Sequence, residues 1–136
     1  MAKVAAWLFI ESEKYKTDDM SQSIGIECDR SWSKGDSRGK TGKKYSTSSW
    51  QLGSTTDIVE DSEKILHQIK SALFDIINRM IGYEDRFRSV AEGEVSGLSV
   101  GITSENIPAI IIDADTIRGI SYLGVDLEID LTLASG

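Results

Sequence analysis

Val125-Asp126-Leu127-Glu128-Ile129-Asp130-Leu131-Thr132-Leu133 alternates apolar and polar side chains without a break. Successive side chains of a strand point to opposite faces, so the stretch predicts a strand with one face buried and one in water. An antiparallel sheet with helices on one side produces that pattern.

Working backwards, Asp113 or Asp115 can cap a short helix ending near Gly124, and Pro108 to Ile112 can add a short strand. Val95 to Thr103 reads as a strand with Leu98, Val100 and Ile102 on one face. The longest element lies before it. Asp57 and Glu60 resemble a capping box, and Ile58, Ile65, Ile69, Ala72, Leu73, Ile76, Ile77 and Met80 recur at steps of three and four. This spacing predicts an amphipathic helix from Ile58 to Met80, with a further turn or two before Gly93. Lys44 to Gly53 has the composition of an edge or partly exposed strand, and Cys28 to Gly42 that of an irregular loop. Thr17, Asp18 and Asp19 offer N-caps to a short helix that Gly25 can stop, and Val4 to Glu11 reads as a strand buried on both faces. The predicted fold is α+β: a mainly antiparallel (mixed) sheet, with a long amphipathic helix and shorter helices on one face in broadly ferredoxin-like layering. Residues 1–136 form a single domain in this reading, long enough to bury roughly two thirds of the unfolded surface.

Composition narrows the functional classes. No stretch approaches the roughly 20 apolar residues of a membrane span, and the run Val4 to Ile10 leads into Glu11, Glu13 and Lys14 instead of a cleavage site. One cysteine, Cys28, rules out an intramolecular disulfide and points to a reducing, cytoplasmic setting. Net charge is −7, yet residues 30–44 hold Arg30, Lys34, Arg38, Lys40, Lys43 and Lys44 against Asp36 alone, a local +5 that leaves −12 elsewhere. An acidic body argues against nucleic acid, whose binding draws on phosphate neutralisation. It suits a basic protein partner or a second copy.

No motif carries a reaction. Gly35-Asp36-Ser37-Arg38-Gly39-Lys40-Thr41 has three residues between its glycines where a phosphate loop needs four. Asp113 and Asp115 begin like a calcium loop, but Ile117, Arg118 and Gly124 fall where its later ligands and glycine belong. His67 lies off the apolar helix face, and Cys28 sits between Glu27 and Asp29, which disfavours a thiolate. Asp126, Glu128 and Asp130 share a strand face and could hold a cation, although a solvated face has the same appearance. Trp32 and Trp50, with Tyr45, interleave with Arg30, Lys34 and Lys44, a mixture that can stack a planar ligand and pair an anion. A large aromatic is also a ready anchor, and the composition favours the tryptophans pinning the loop to the sheet, from where Lys34 and Arg38 can still meet an anion.

The segment also carries a resemblance. Ile24-Gly25-Ile26-Glu27 followed by Arg30-Ser31-Trp32-Ser33-Lys34-Gly35-Asp36, then Ser48-Ser49-Trp50, the long amphipathic helix and the run Leu127 to Leu131, is similar to the pattern of the bacterial domain of unknown function 4279 family. The family often places a proline near Cys28 or Asp29, which this chain lacks. The resemblance implies a small bacterial cytoplasmic domain with no catalytic motif to carry over. Neighbours of such families include immunity or partner-neutralising proteins. The expectation is a non-enzymatic protein-interaction module, immunity-like or regulatory, with a protein partner or self-association as a homodimer, no cofactor and no metal. The alternatives are an anionic small-molecule or nucleotide module using Arg30, Trp32, Lys34, Gly35, Arg38 and Trp50, and a metal-dependent enzyme using the strand carboxylates.

Overall fold

A computed structural model describes residues 1–134. Along the chain run β1 (Ala2–Ser12), α1 (Thr17–Ile24), β2 (Arg30–Trp32), β3 (Ser48–Ile58), α2 (Ser62–Met80), α3 (Glu84–Ala91), β4 (Val95–Ser104), α4 (Ala114–Leu123) and β5 (Leu127–Leu133). The strands form one sheet in the order β2-β3-β1-β4-β5. The first four pair antiparallel; β4 and β5 pair parallel. The sheet is therefore mixed, with its helices on one face, as the alternation at the C-terminal end predicts.

Alternation reports which face is covered, not which way a strand runs. Here α4 returns the chain to the start of β4, so β5 must run parallel to it, contrary to the antiparallel reading. β1 also differs from expectation. Val4, Ala6, Leu8 and Ile10 are buried beneath the helices, whereas Trp7 and Phe9 are half-buried on the open face. Their cover comes from within the sheet: the Arg30 guanidinium lies 4.0 Å from the Trp7 ring, and Phe9 lies across Gly97.

β3 lies between β2 and β1, which corrects the edge-strand reading of Lys44 to Gly53. It continues through Ile58, opposite Ala2, so the long helix starts later than its spacing implies. Asp61 caps that helix, its carboxylate accepting from the N–H of Glu63 at 2.9 Å and of Lys64 at 3.3 Å. Glu60 instead accepts from the Ser104 hydroxyl and from the N–H groups of Glu105 and Asn106. Ile65, Ile69, Ala72, Leu73, Ile76 and Met80 form the buried face of α2. α1 begins one residue after Lys16, whose side chain makes no cap. The Thr17 hydroxyl, expected as a cap, donates to the backbone of Trp32 and Ser49 at 3.1 and 3.2 Å and ties the helix to the sheet. Pro108 to Ile112 forms no strand; Ile110 and Ile112 pack against the core from an irregular segment.

Gly53 is required by close approach. A Cβ there would collide with the carbonyl oxygen of Ala6 on the neighbouring strand. Among the described residues no helix is long and apolar enough to cross a membrane.

Candidate functional site

The basic segment expected to be a structureless loop is an ordered arm. β2 pairs Arg30 with Gln51, Ser31 with Trp50 and Trp32 with Ser49. Beyond it, the Gly35 N–H donates to the Tyr45 carbonyl, the Tyr45 N–H to the Asp36 carbonyl and the Arg38 N–H to the Lys43 carbonyl, at 2.9, 2.9 and 2.7 Å. These bonds fold residues 33–47 back on themselves, and the Lys34 N–H fastens the arm to Ser48 Oγ at 3.0 Å.

Pairing sets the direction of every side chain in the segment. Arg30 and Trp32, two residues apart, project to the open face of the sheet. Arg30 Nε donates to Gln51 Oε1 at 2.6 Å while its guanidinium covers Trp7. Trp32 stacks on Tyr45, with centroids 4.4 Å apart and planes 12° from parallel, and Arg38 sits 5.3 Å from the Tyr45 ring centre. Trp50 points the other way. It is fully buried, 6.0 Å from Phe87 between ring centres, and its indole N–H donates to the Ile26 carbonyl at 3.3 Å. Of the six residues singled out in the sequence, Trp32 and Arg38 are thus brought together on Tyr45, Arg30 lies apart over Trp7, Lys34 and Gly35 form the base of the arm, and Trp50 belongs to the core. The alternation Ser49-Trp50-Gln51-Leu52 was the signal that separates the two tryptophans.

Lys34 also borders a cleft of about 430 Å³ between the β1–α1 turn and the arm, with Ser31, Ser33, Ser48, Lys14 and Lys16 among its walls. Glu13 and Asp18 line it too, so its positive character is partly offset. Lys14 lies 3.7 Å from Glu94. Such a cleft can hold a small anion by charge and hydroxyl contacts. Among the described residues no three His, Cys, Asp or Glu side chains gather as a metal ion requires.

The β2 side of the sheet is closed by an ion pair. The Asp29 carboxylate accepts from the Gly53 N–H at 2.9 Å and from both terminal nitrogens of Arg79 at 2.7 and 3.2 Å. The Arg79 guanidinium holds the Asp29 carboxyl below its ordinary 3.8, against the opposing effect of partial burial.

The opposite side is open. β5 pairs only with β4, in the register Leu98 to Leu127, Val100 to Ile129, Ile102 to Leu131 and Ser104 to Leu133. Its apolar residues therefore share the helix-covered face with Leu98, Val100 and Ile102, which are buried. The cover runs out along the strand. Leu127 is half-buried, and exposure climbs through 37% at Ile129 and 47% at Leu131 to 69% at Leu133. The face expected to be buried is thus largely uncovered. α4 packs close to α2 instead: a Cβ on Gly119 would come within 2.7 Å of the Ile77 side chain, which would have to shift to admit it. Ile117, two residues and some 200° around the helix from Gly119, faces away from α2 and is 54% exposed.

The hydrogen-bond phase of β5 completes the surface. The Leu98 N–H donates to the Asp126 carbonyl at 2.9 Å, and the Ala134 N–H donates to Ser104 at 2.8 Å. In a parallel ladder, the even-numbered residues of β5 are then the ones that bond to β4. Ile129, Leu131 and Leu133 direct their N–H and C=O groups outward. One set of residues presents both apolar side chains and unpaired backbone.

These features define a small α+β domain with a one-sided helix layer, one closed sheet edge and one open edge. The sequence profile of the domain of unknown function DUF4279 matches residues 2–134, and the chain belongs to that family. No curated protein and no solved structure matches it.

Proposed function

We propose that the chain is a non-enzymatic protein-interaction module, regulatory or immunity-like in kind, which engages its partner by strand pairing at β5. The supporting observation is the coincidence on Ile129, Leu131 and Leu133 of exposed apolar side chains with outward backbone groups. Natural sheet edges of this length are usually shortened, charged or covered, because they pair with other strands. An acidic body favours a partner whose flanking surface is basic. A cytoplasmic setting belongs to the same reading, with Cys28 the lone, half-buried thiol.

A photo-crosslinking residue at position 131, introduced in the cells that make the protein, tests the reading. A covalent adduct with a polypeptide is expected there, and much less from the exposed position Lys70. Equal or absent adducts at the two positions would end the proposal.

The cleft at Lys34 favours a second reading, a module for a small anion, with Arg30, Trp32, Gly35 and Arg38 shaping the arm beside it. Trp50 would support that site only from within the core. Phosphate or a nucleotide should then raise the melting temperature of the parent protein and not that of Lys34→Ala. Equal shifts, or none, would remove this reading.

A further inference from the structure

We infer that the strand paired with β5 is β5 of a second copy, running antiparallel about a two-fold axis at Leu131 and extending the sheet across both chains. The inference rests on β5 being the interaction edge and adds the identity of the partner and the register.

Backbone phase limits the choices first. Outward N–H and C=O groups belong to the odd-numbered residues, so only registers that set odd against odd form a ladder. The same registers put apolar beside apolar and keep the helices of both copies on one side of the joined sheet; a slip by one residue from a Leu131-centred pairing would set Leu131 against Asp130 or Thr132. Charge and length then choose among them: centring the axis on Thr132 also keeps the acids apart, but it pairs only residues 130–134 of the described chain. Centring the axis on Ile129 opposes Asp130 to Glu128, and centring it on Asp130 opposes that carboxylate to its own mate. Centring it on Leu131 sets Asp130 against Thr132 and Glu128 against Ala134, with Ile129 against Leu133 and Leu131 against itself. No acid then faces an acid directly, and the pairing runs from Glu128 to Ala134. A strand whose pattern is complementary to itself fits an isologous interface.

The helix layer agrees with this arrangement. Within α4, Ile117 stands about 9 Å along the helix axis from its C-terminal end, where the chain turns into β5. Its exposed side chain lies on the flank away from α2, a further apolar contact left open to a partner. Each copy carries −7, so association strengthens as salt screens the repulsion.

Disulfide trapping tests partner and register together. Directly opposed, non-hydrogen-bonded residues lie about 4.5 Å apart at Cα, close enough for a disulfide. In a Cys28→Ser background, Asp130→Cys mixed with Thr132→Cys should give a covalent dimer under mild oxidation, several-fold faster than either variant alone. Sedimentation of the parent at ~100 μM, a range in which modest interfaces associate, should show a dimer. Leu131→Glu should melt like the parent and sediment as a monomer. A parent that stays monomeric overturns the inference, as does Asp130→Cys alone trapping as fast as the mixture. If the parent is monomeric yet position 131 crosslinks to another polypeptide in cells, β5 remains an interaction edge for a different partner. If neither association occurs, both readings fall.

Discussion

The two edges of the sheet solve the same problem in opposite ways. β2 is three residues long, and its surroundings are closed by the folded arm, the Trp32–Tyr45 stack and the Asp29–Arg79 pair. β5 is seven residues long, and nothing in the described chain covers its outer side. Edges left open invite another strand, and one guarded edge beside one open edge gives a domain a single direction for pairing. The charged arm thus works in part as a guard, although its composition first marks it as the place to look for a ligand.

Perturbing the closed edge should cost stability. Gly53→Ala should cost on the order of 3 kcal/mol, because the added methyl meets the Ala6 carbonyl where β3 adjoins β1; denaturant titration measures it. Asp29→Asn should cost less, about 0.5–1 kcal/mol near neutral pH, since the pair with Arg79 is partly solvated. Its dependence on pH has a definite sign. The Asp29 carboxyl is depressed below 3.8 in the fold, so its contribution is present above that value and lost as pH falls through the folded value. The stability gap between parent and variant should therefore close below pH 3.8. A gap that persisted there would show that the ion pair does not hold this edge. At the open edge, Leu131→Lys should change stability by less than about 0.5 kcal/mol, because the side chain is already 47% exposed. A large loss in dilute solution, where the protein is monomeric, would mean that Leu131 is covered within the chain, and the contrast between the edges would fail.

Much of this architecture is legible in the residues. The three-and-four spacing from Ile65 to Met80 places α2, and the alternations of 95–103 and 125–133 place β4 and β5 with their inward faces. Boundaries were less legible where two patterns overlap. Ile58 fits both the helix spacing and the end of β3, and pairing with Ala2 decides for the strand. Asp57 looked like a cap until that pairing moved the helix start to Ser62, behind Asp61. The two tryptophans of the arm look alike in composition and differ only in parity, which strand pairing sets: Trp50 opposite Ile10 on the helix side, Trp32 opposite Ser49 on the open side.

The open edge itself was not legible. Alternation says which face of β5 is apolar, but its exposure depends on where α4 sits. That position brings Gly119 close to Ile77, an approach between residues far apart in the chain. The candidate interaction residues Ile129, Leu131 and Leu133 were therefore read as core.

Hydrogen exchange at β5, followed as a function of protein concentration, tests the central claim most directly. The N–H groups of Glu128, Asp130 and Thr132 face β4 and should be protected throughout. Those of Ile129, Leu131 and Leu133 should exchange freely in dilute solution and become protected as concentration rises. Odd-numbered amides that stay unprotected at the highest concentration, or are protected equally at all concentrations, would contradict the account.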